Sequence, residues 1–413
     1  MNINAGHRPC MVMSMSKKGI LLVGVLIFGL AALVQFTFNL VNIGGEDIRM
    51  VNTGHGVTYA FDANPSFYSN GSRNFYFALR TGIRLVPSGG GAYRWQESFS
   101  FTRPHMAARG DVVAVGELGQ GRKIYVYNAD GNMYSVDLNH PVTGFSVNAA
   151  GYLSVITQVD GGFHIRVFNQ HNNSSHMWEW RSYHVNYPLR FPVAAELSGD
   201  GRYIAIAYWN ADGTQLATDV QFWETDNREV RFGTDGLFAG EFIEEAFIAM
   251  RFMANNRLLL ITDSRIMLYS VSISGVEEVW SKPLYNRIDQ LAFYGNNRFA
   301  FAAGAPLRPD GRYADPLGTV NIFDLNGSTG RFYLGRRATH LTMGHSAVIV
   351  GSDRYFHAIS ARGTSLWYHR TLHDVRDMIF LDNTDTVLIA GANRAYVWRR
   401  QRVREQREVL ADS

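Results

Sequence analysis

At 413 residues the chain is too long for one ordinary compact core, and 46% hydrophobic with 18% charged residues excludes a disordered polymer. Its formal charge of +3 resides in Arg8, Lys17 and Lys18, the only charged residues before Glu46, and without them 36 basic residues face 36 acidic ones. That neutrality argues against nucleic acid as a partner, and a single cysteine, Cys10, leaves the rest of the chain without a thiol or an internal disulfide.

The first element is an apolar run. Residues 19–41 read GILLVGVLIFGLAALVQFTFNLV, 23 residues without a charge. At 1.5 Å per residue such a helix spans roughly 34 Å, enough for the ~30 Å hydrocarbon core of a bilayer. Lys17 and Lys18 precede it, while Glu46 and Asp47 follow. The positive-inside rule then puts residues 1–18 in the cytoplasm as a short tail and everything after a linker at 42–50 outside. A cleaved signal peptide shares the basic start and apolar core, but this run is longer than a usual signal core and lacks a small-x-small site at its end. An uncleaved single-span anchor is therefore expected. Gly24 and Gly29 are one residue too far apart for a GxxxG pair, so no dimer face is signalled.

Residues 51–400 read as an all-β domain, ahead of a polar, basic tail at 401–413. Short apolar runs alternate with turn signals in a recurring strand–turn–strand unit. SFYSNGSRNFYFALR turns at Gly71, HMAARGDVVAVGEL at Gly110, GFSVNAAGYLSVITQV at Gly151 and VAAELSGDGRYIAIAYW at Gly201. AMRFMANNRLLLITD turns at Asn256, LAFYGNNRFAFAAG at Asn297, HLTMGHSAVIVGS near His345 and MIFLDNTDTVLIAG near Thr384. Each interval holds four short strands, the pattern of a β-propeller, in which radial packing buries both faces of each small sheet and leaves only short edges. Eight turns predict eight four-stranded blades, with seven the alternative. The last set offers three strands, DMIFL, TVLIAG and AYVWRR, and 56–61 is expected to supply the fourth and close the ring.

Residues 353–370, DRYFHAISARGTSLWYHR, resemble the quinoprotein-type (PQQ-like) repeat, a strand, a Gly turn and a Leu-Trp step. SGDGRYIAIAYW is similar to turns of other bacterial propellers. As a whole the chain resembles a family of bacterial single-span, membrane-anchored propellers of unknown function, common in Gram-positive Firmicutes. The resemblance implies a propeller fold and an envelope location, and carries no catalytic residue across.

Enzymatic constellations are weak. Quinoprotein dehydrogenases need an acidic base beside a calcium site, many with a vicinal cysteine pair, and no cysteine follows Cys10; no cofactor is expected. Gly344-His345-Ser346 begins a nucleophile elbow, but Val348 stands where the second Gly belongs. His171 and His176 flank a polar loop without metal-ligand spacing. Asn128–Asn132 has the flavour of a calcium loop but lacks the downstream Glu of an EF-hand, and a hairpin explains Asp130-Gly131.

Trp95, Trp178, Trp180, Trp223, Trp280, Trp367 and Trp398 recur roughly once per blade, as packing between blades requires. Trp178 and Trp180 share a strand face beside the polar loop and are the candidates for sugar stacking. Arg399, Arg400, Arg402 and Arg404 are the candidates for contact with an anionic partner such as lipid headgroups or a wall polymer. The leading expectation is a non-enzymatic protein-binding or scaffold module at the outer face of the cell membrane, with recognition of cell-wall glycan or anionic polymer as the alternative and a hydrolase or oxidoreductase as the third.

Overall fold

In the computed structural model, the described residues are 49–401 apart from 53–58, 61–65, 70, 72–73, 89–91, 172–175, 184–189, 212–216, 226–239, 244, 372–373, 382–385 and 392–393. The expected membrane span at 19–41 lies outside them, as does the turn residue Thr384. Among the described residues no helix is long and apolar enough to cross a membrane.

Eight antiparallel sheets follow one another along the chain. Blades 1 to 7 occupy 66–98, 104–137, 142–183, 190–243, 247–283, 286–333 and 340–370, each with four strands, a to d, hydrogen-bonded in sequence order. Blade 8 takes strands a to c from 377–401 and its outermost position from the other end of the chain. There Arg49–Asn52 pairs with 398–401, and Tyr59–Ala60 pairs with Arg394 and Ala395. Of the expected closing segment 56–61, the described part Tyr59–Ala60 makes this pairing, and Arg49–Asn52, which straddles the expected start of the domain at 51, adds the longer one.

The a strands of neighbouring blades pack on one another and line the axis. The middle strands b and c are buried on both faces, which is why they read as unbroken apolar runs rather than alternating ones. Tyr203–Asn210, for instance, buries its first six residues, and all eight of Ala217–Glu224 are buried. The d strands are the most exposed, and all nine residues of Gly275–Pro283 are exposed or half-buried.

Each seam between adjacent blades holds its own hydrophobic cluster. Leu153, Val155 and Phe168 of blade 3 meet Val112, Ala114 and Val126 of blade 2. The seam that decides the ring is the last, where Phe67, Phe75 and Phe77 of blade 1 pack on Leu388, Ala395 and Val397 of blade 8. Eight blades close the propeller, and the seven-blade alternative is set aside.

The a–b turns have the conformations that the sequence units required. Gly71, Gly110, Gly151 and Gly201 have φ of +84°, +58°, +85° and +74°, and Asn256 +52°. In blade 6 the left-handed residue is Gly295, φ +55°, two positions before the expected Asn297. Gly201 is doubly constrained, because a Cβ there would lie 2.8 Å from the Tyr152 ring of blade 3.

Candidate functional site

The seven recurring tryptophans are seam residues. Trp95, on strand d of blade 1, stacks on Tyr127 of blade 2 at 5.4 Å and donates its indole N–H to Ala129 O at 3.1 Å. Trp280 of blade 5 repeats this on blade 6, stacking on Phe323 and donating to Leu325 O at 3.0 Å. Trp180 of blade 3 lies 4.3 Å from Trp223 of blade 4. Trp178 is 3% exposed within the same seam, and Trp180, half-buried, packs its ring on Trp223. Trp367 of the quinoprotein-like unit is buried between blades 7 and 8.

The other sequence candidates also fall on structural positions. Arg399 and Arg400 occupy strand Arg394–Gln401, paired through Thr386, Val51 and Met50, while Arg402 and Arg404 lie outside the described residues. Gly344–Ser346 forms the a–b turn of blade 7, where Gly344 N donates to Ala347 O at 2.7 Å. Asn128 turns the hairpin after it by accepting from Asp130 N at 2.8 Å. His176 approaches Glu179 at 3.9 Å, together with His164, Arg166 and Arg181. Burial works to raise the Glu179 pKa, but hydrogen bonds from Arg166 and Arg181 outweigh it and hold the carboxyl below its ordinary range. Among the described residues no three His, Cys, Asp or Glu converge on a metal position.

Two places stand out that the sequence candidates did not include. The first is the axial mouth on the a–b face. Arg109, the last residue of strand Pro104–Arg109 in blade 2, is 5% exposed. It reaches Glu196 of blade 4 at 3.3 Å and Asn296 of blade 6 at 3.3 Å. Arg251 of blade 5 lies over the Phe293 ring at 4.6 Å and donates to Gly295 O at 3.3 Å. Tyr68 of blade 1 donates to Gly110 O at 3.1 Å. Burial lowers the pKa of both guanidiniums, Arg251 to about 9, where the charge of Arg109 adds to the effect. Burial also raises Glu196, against the pull of Arg109 and Arg251. The sequence signal was a charge inside an otherwise apolar inner strand, in HMAARGD, VAAELSG and AMRFM.

The second place is the opposite face, formed by b–c loops and d–a links. A cleft of about 350 Å³ opens between blades 5 and 6, lined by Asp263, Tyr285, Leu307, Arg308, Arg312 and Tyr313 among others. The Tyr285 and Tyr313 rings lie 5.6 Å apart at 40°, and Tyr313 is 67% exposed. On the same face blade 4 exposes Phe191 and Trp209, and blade 5 exposes Ile248. Nearby, Arg336 and Arg370 both lie over the Tyr355 ring, at 4.6 and 5.3 Å.

Comparison with known proteins places this architecture. The model of a family described as "Family of unknown function (DUF5711)" matches residues 79–397. The chain belongs to that family. No curated protein matches it. Among solved structures, this DUF5711 chain is similar to Sqt1 of Saccharomyces cerevisiae, at 10% identity and a TM-score of 0.51, over 85% of this chain and 98% of that one. It is also similar to BamB from Moraxella catarrhalis, at 13% identity and a TM-score of 0.49, over 85% and 97%. At such identities the likeness to Sqt1 shows the propeller fold, and the DUF5711 chain's function rests on its own surfaces.

Proposed function

We propose that the protein is a membrane-anchored, extracytoplasmic, non-enzymatic binding module of a Gram-positive cell envelope that grips a partner protein with the b–c face of blades 4 to 6. One observation carries the reading: exposed large apolar side chains from three consecutive blades, Phe191, Trp209, Ile248, Tyr285, Leu307 and Tyr313, share one face with the exposed arginines 287, 308, 312 and 337. Tyr, Trp and Arg are the residue types that dominate binding energy at protein interfaces, and apolar groups gathered on one face mark such surfaces. The arginine rim selects a partner segment with acidic residues beside its apolar anchor.

The anchor at 19–41 and the charge asymmetry around it support the location. The polymer reading has less behind it, since its sugar-stacking candidates are engaged in the seam between blades 3 and 4.

The test is site-specific photocrosslinking in cells producing the full chain, with the photoreactive residue at position 313 and, on the other face, at position 93. One discrete protein adduct at 313, absent at 93 and lost with Arg312→Glu, is the expected result. Crosslinking to wall polymer, or equal adducts at both positions, overturns it.

A further inference from the structure

The b–c connection of blade 6 is built to hold a cleft open. It runs over residues 307–318, where blades 5 and 7 turn in two residues, 263–264 and 353–354. A connection of that length must be fixed from within to stay ordered. Asn286 fixes it, donating to Gly304 O at 2.8 Å and Asp315 O at 3.0 Å and accepting from Asp315 N at 2.7 Å. Inside the loop Gly311, at φ +53°, donates to Arg308 O at 3.1 Å, and Ala314 N donates to Gly311 O at 3.0 Å. The cleft of about 350 Å³ between this loop and blade 5 is therefore pre-formed, and binding in it costs little ordering.

Its lining has two parts. The exposed rings of Tyr285 and Tyr313 give two aromatic surfaces tilted at 40°. The charged groups are Arg308, Arg312, Asp263 and Asp310, two of each sign. Arg308, Arg312 and Asp310 are exposed and make no ion pair among the described residues. Asp263 accepts from Ala246 N at 3.0 Å and Ser264 Oγ at 3.1 Å, both at Oδ1. The charged residues around the lining are engaged elsewhere: Arg265 with Glu245, Arg287 with Asp289, Asp315 with Arg331, and Lys282 over the Trp280 and Phe323 rings. The cleft thus keeps donors and acceptors in balance beside its aromatic surfaces. Such a set selects neither an anion nor a cation and suits a neutral group rich in both N–H and C=O, which is what peptide backbone is.

Building on the reading of this face as the partner surface, we infer that the cleft takes one aromatic side chain of the partner, a Trp or Tyr, with the peptide groups on either side of it held by the four charged residues. A third ring meets Tyr285 and Tyr313 in the offset or edge-to-face geometries that an aliphatic side chain cannot use. A smaller side chain would also leave part of the cleft without contacts. The indole N–H or phenol O–H finds an acceptor in Asp263 or Asp310, and the two guanidiniums donate to the flanking carbonyls. Aromatic anchors seated in pockets are where interface energy concentrates.

The test is saturation-transfer NMR on the purified full-length chain with N-acetyltryptophanamide, an uncharged molecule that carries the ring and a peptide group on each side. N-acetylleucinamide and N-acetylglucosamine are the comparisons. The tryptophan amide is expected to bind with a Kd on the order of 1 mM, at least about fivefold tighter than the leucine amide, and the sugar not to bind. Tyr313→Ala, at an exposed position, is expected to weaken the tryptophan amide to the level of the leucine amide, and Tyr313→Phe to preserve its binding. Equal or absent binding of the two amides, preference for the sugar, or tryptophan binding that survives Tyr313→Ala overturns the inference. If the amides bind equally while a protein adduct forms at position 313 in cells, the partner reading stands without its aromatic anchor. If the tryptophan amide binds as expected and no adduct forms, the partner reading falls and the aromatic site remains.

Discussion

Arg109 and Asn296 touch across the axis of the propeller: a guanidinium nitrogen from blade 2 donates at 3.3 Å to a side-chain oxygen from blade 6, the blade diametrically opposite. The same side chain pairs with Glu196, so three blades that share no seam are tied through one residue. Arg109→Ala strands Glu196 beside a single remaining cation. A loss of ~3–5 kcal/mol is expected for breaking such a pair, measured as the shift in urea midpoint. Adding Glu196→Gln is expected to recover part of it, as a double-mutant cycle will register.

The seam tryptophans separate packing from hydrogen bonding. Trp280→Phe keeps a ring against Phe323 but removes the donor to Leu325 O, and a cost of about 1 kcal/mol is expected. Trp178→Ala opens a cavity between blades 3 and 4 and is expected to cost ~3–5 kcal/mol. Denaturant melts of the two variants, read against wild type, test the ranking.

Gly201 sits in the left-handed region with the Tyr152 ring where a Cβ would go. Gly201→Ala is expected to destabilise by more than the ~1 kcal/mol of a strained turn alone. Combining it with Tyr152→Ala, which clears the space, is expected to give less than the sum of the two single losses in the same melts.

The pH dependence has a definite sign. Burial lowers the pKa of His105, His357 and His369, and the Nε2 of His369 is enclosed without a partner beside Trp398. The unfolded chain therefore takes up protons that the folded chain resists, so stability is full above the unfolded imidazole pKa and falls as pH drops through it. Glu196 and Asp377, whose pKa values burial raises, work the other way, costing stability as pH rises through their folded values. A fall in Tm is expected between pH ~7.5 and ~5.5, with a smaller slope in His369→Phe.

Much of the fold was legible because the propeller writes itself locally. The doubly buried b strands leave unbroken apolar runs such as YIAIAYW, and four of the eight expected turn residues are glycines at positive φ. Ring closure was legible only in outline. Blade 8 visibly lacked a strand, but Arg49–Asn52 is too short and too mixed in character to announce its pairing with 398–401. The axial mouth was hidden for a different reason. Arg109, Glu196 and Arg251 come from three units far apart in sequence, and only radial symmetry brings their strand ends to one point. The seam contacts of Trp178 and Trp180 were not legible, because an aromatic pair on an outer strand looks the same whether solvent or the next blade lies beside it.

The outermost strand of blade 8 has a consequence in time. Its residues leave the ribosome before the blades that follow it, yet their partner, strand Arg394–Gln401, is the last strand of the propeller to be made. Until then the hydrophobic flank of blade 1, with Phe67, Phe75 and Phe77, has nothing to lie against. Synthesis must hold an open arc of blades with two bare ends, and pairing across nearly the whole chain is the slow, aggregation-exposed kind. A chain truncated late in translation is therefore expected to be lost as a whole rather than to persist as seven sound blades.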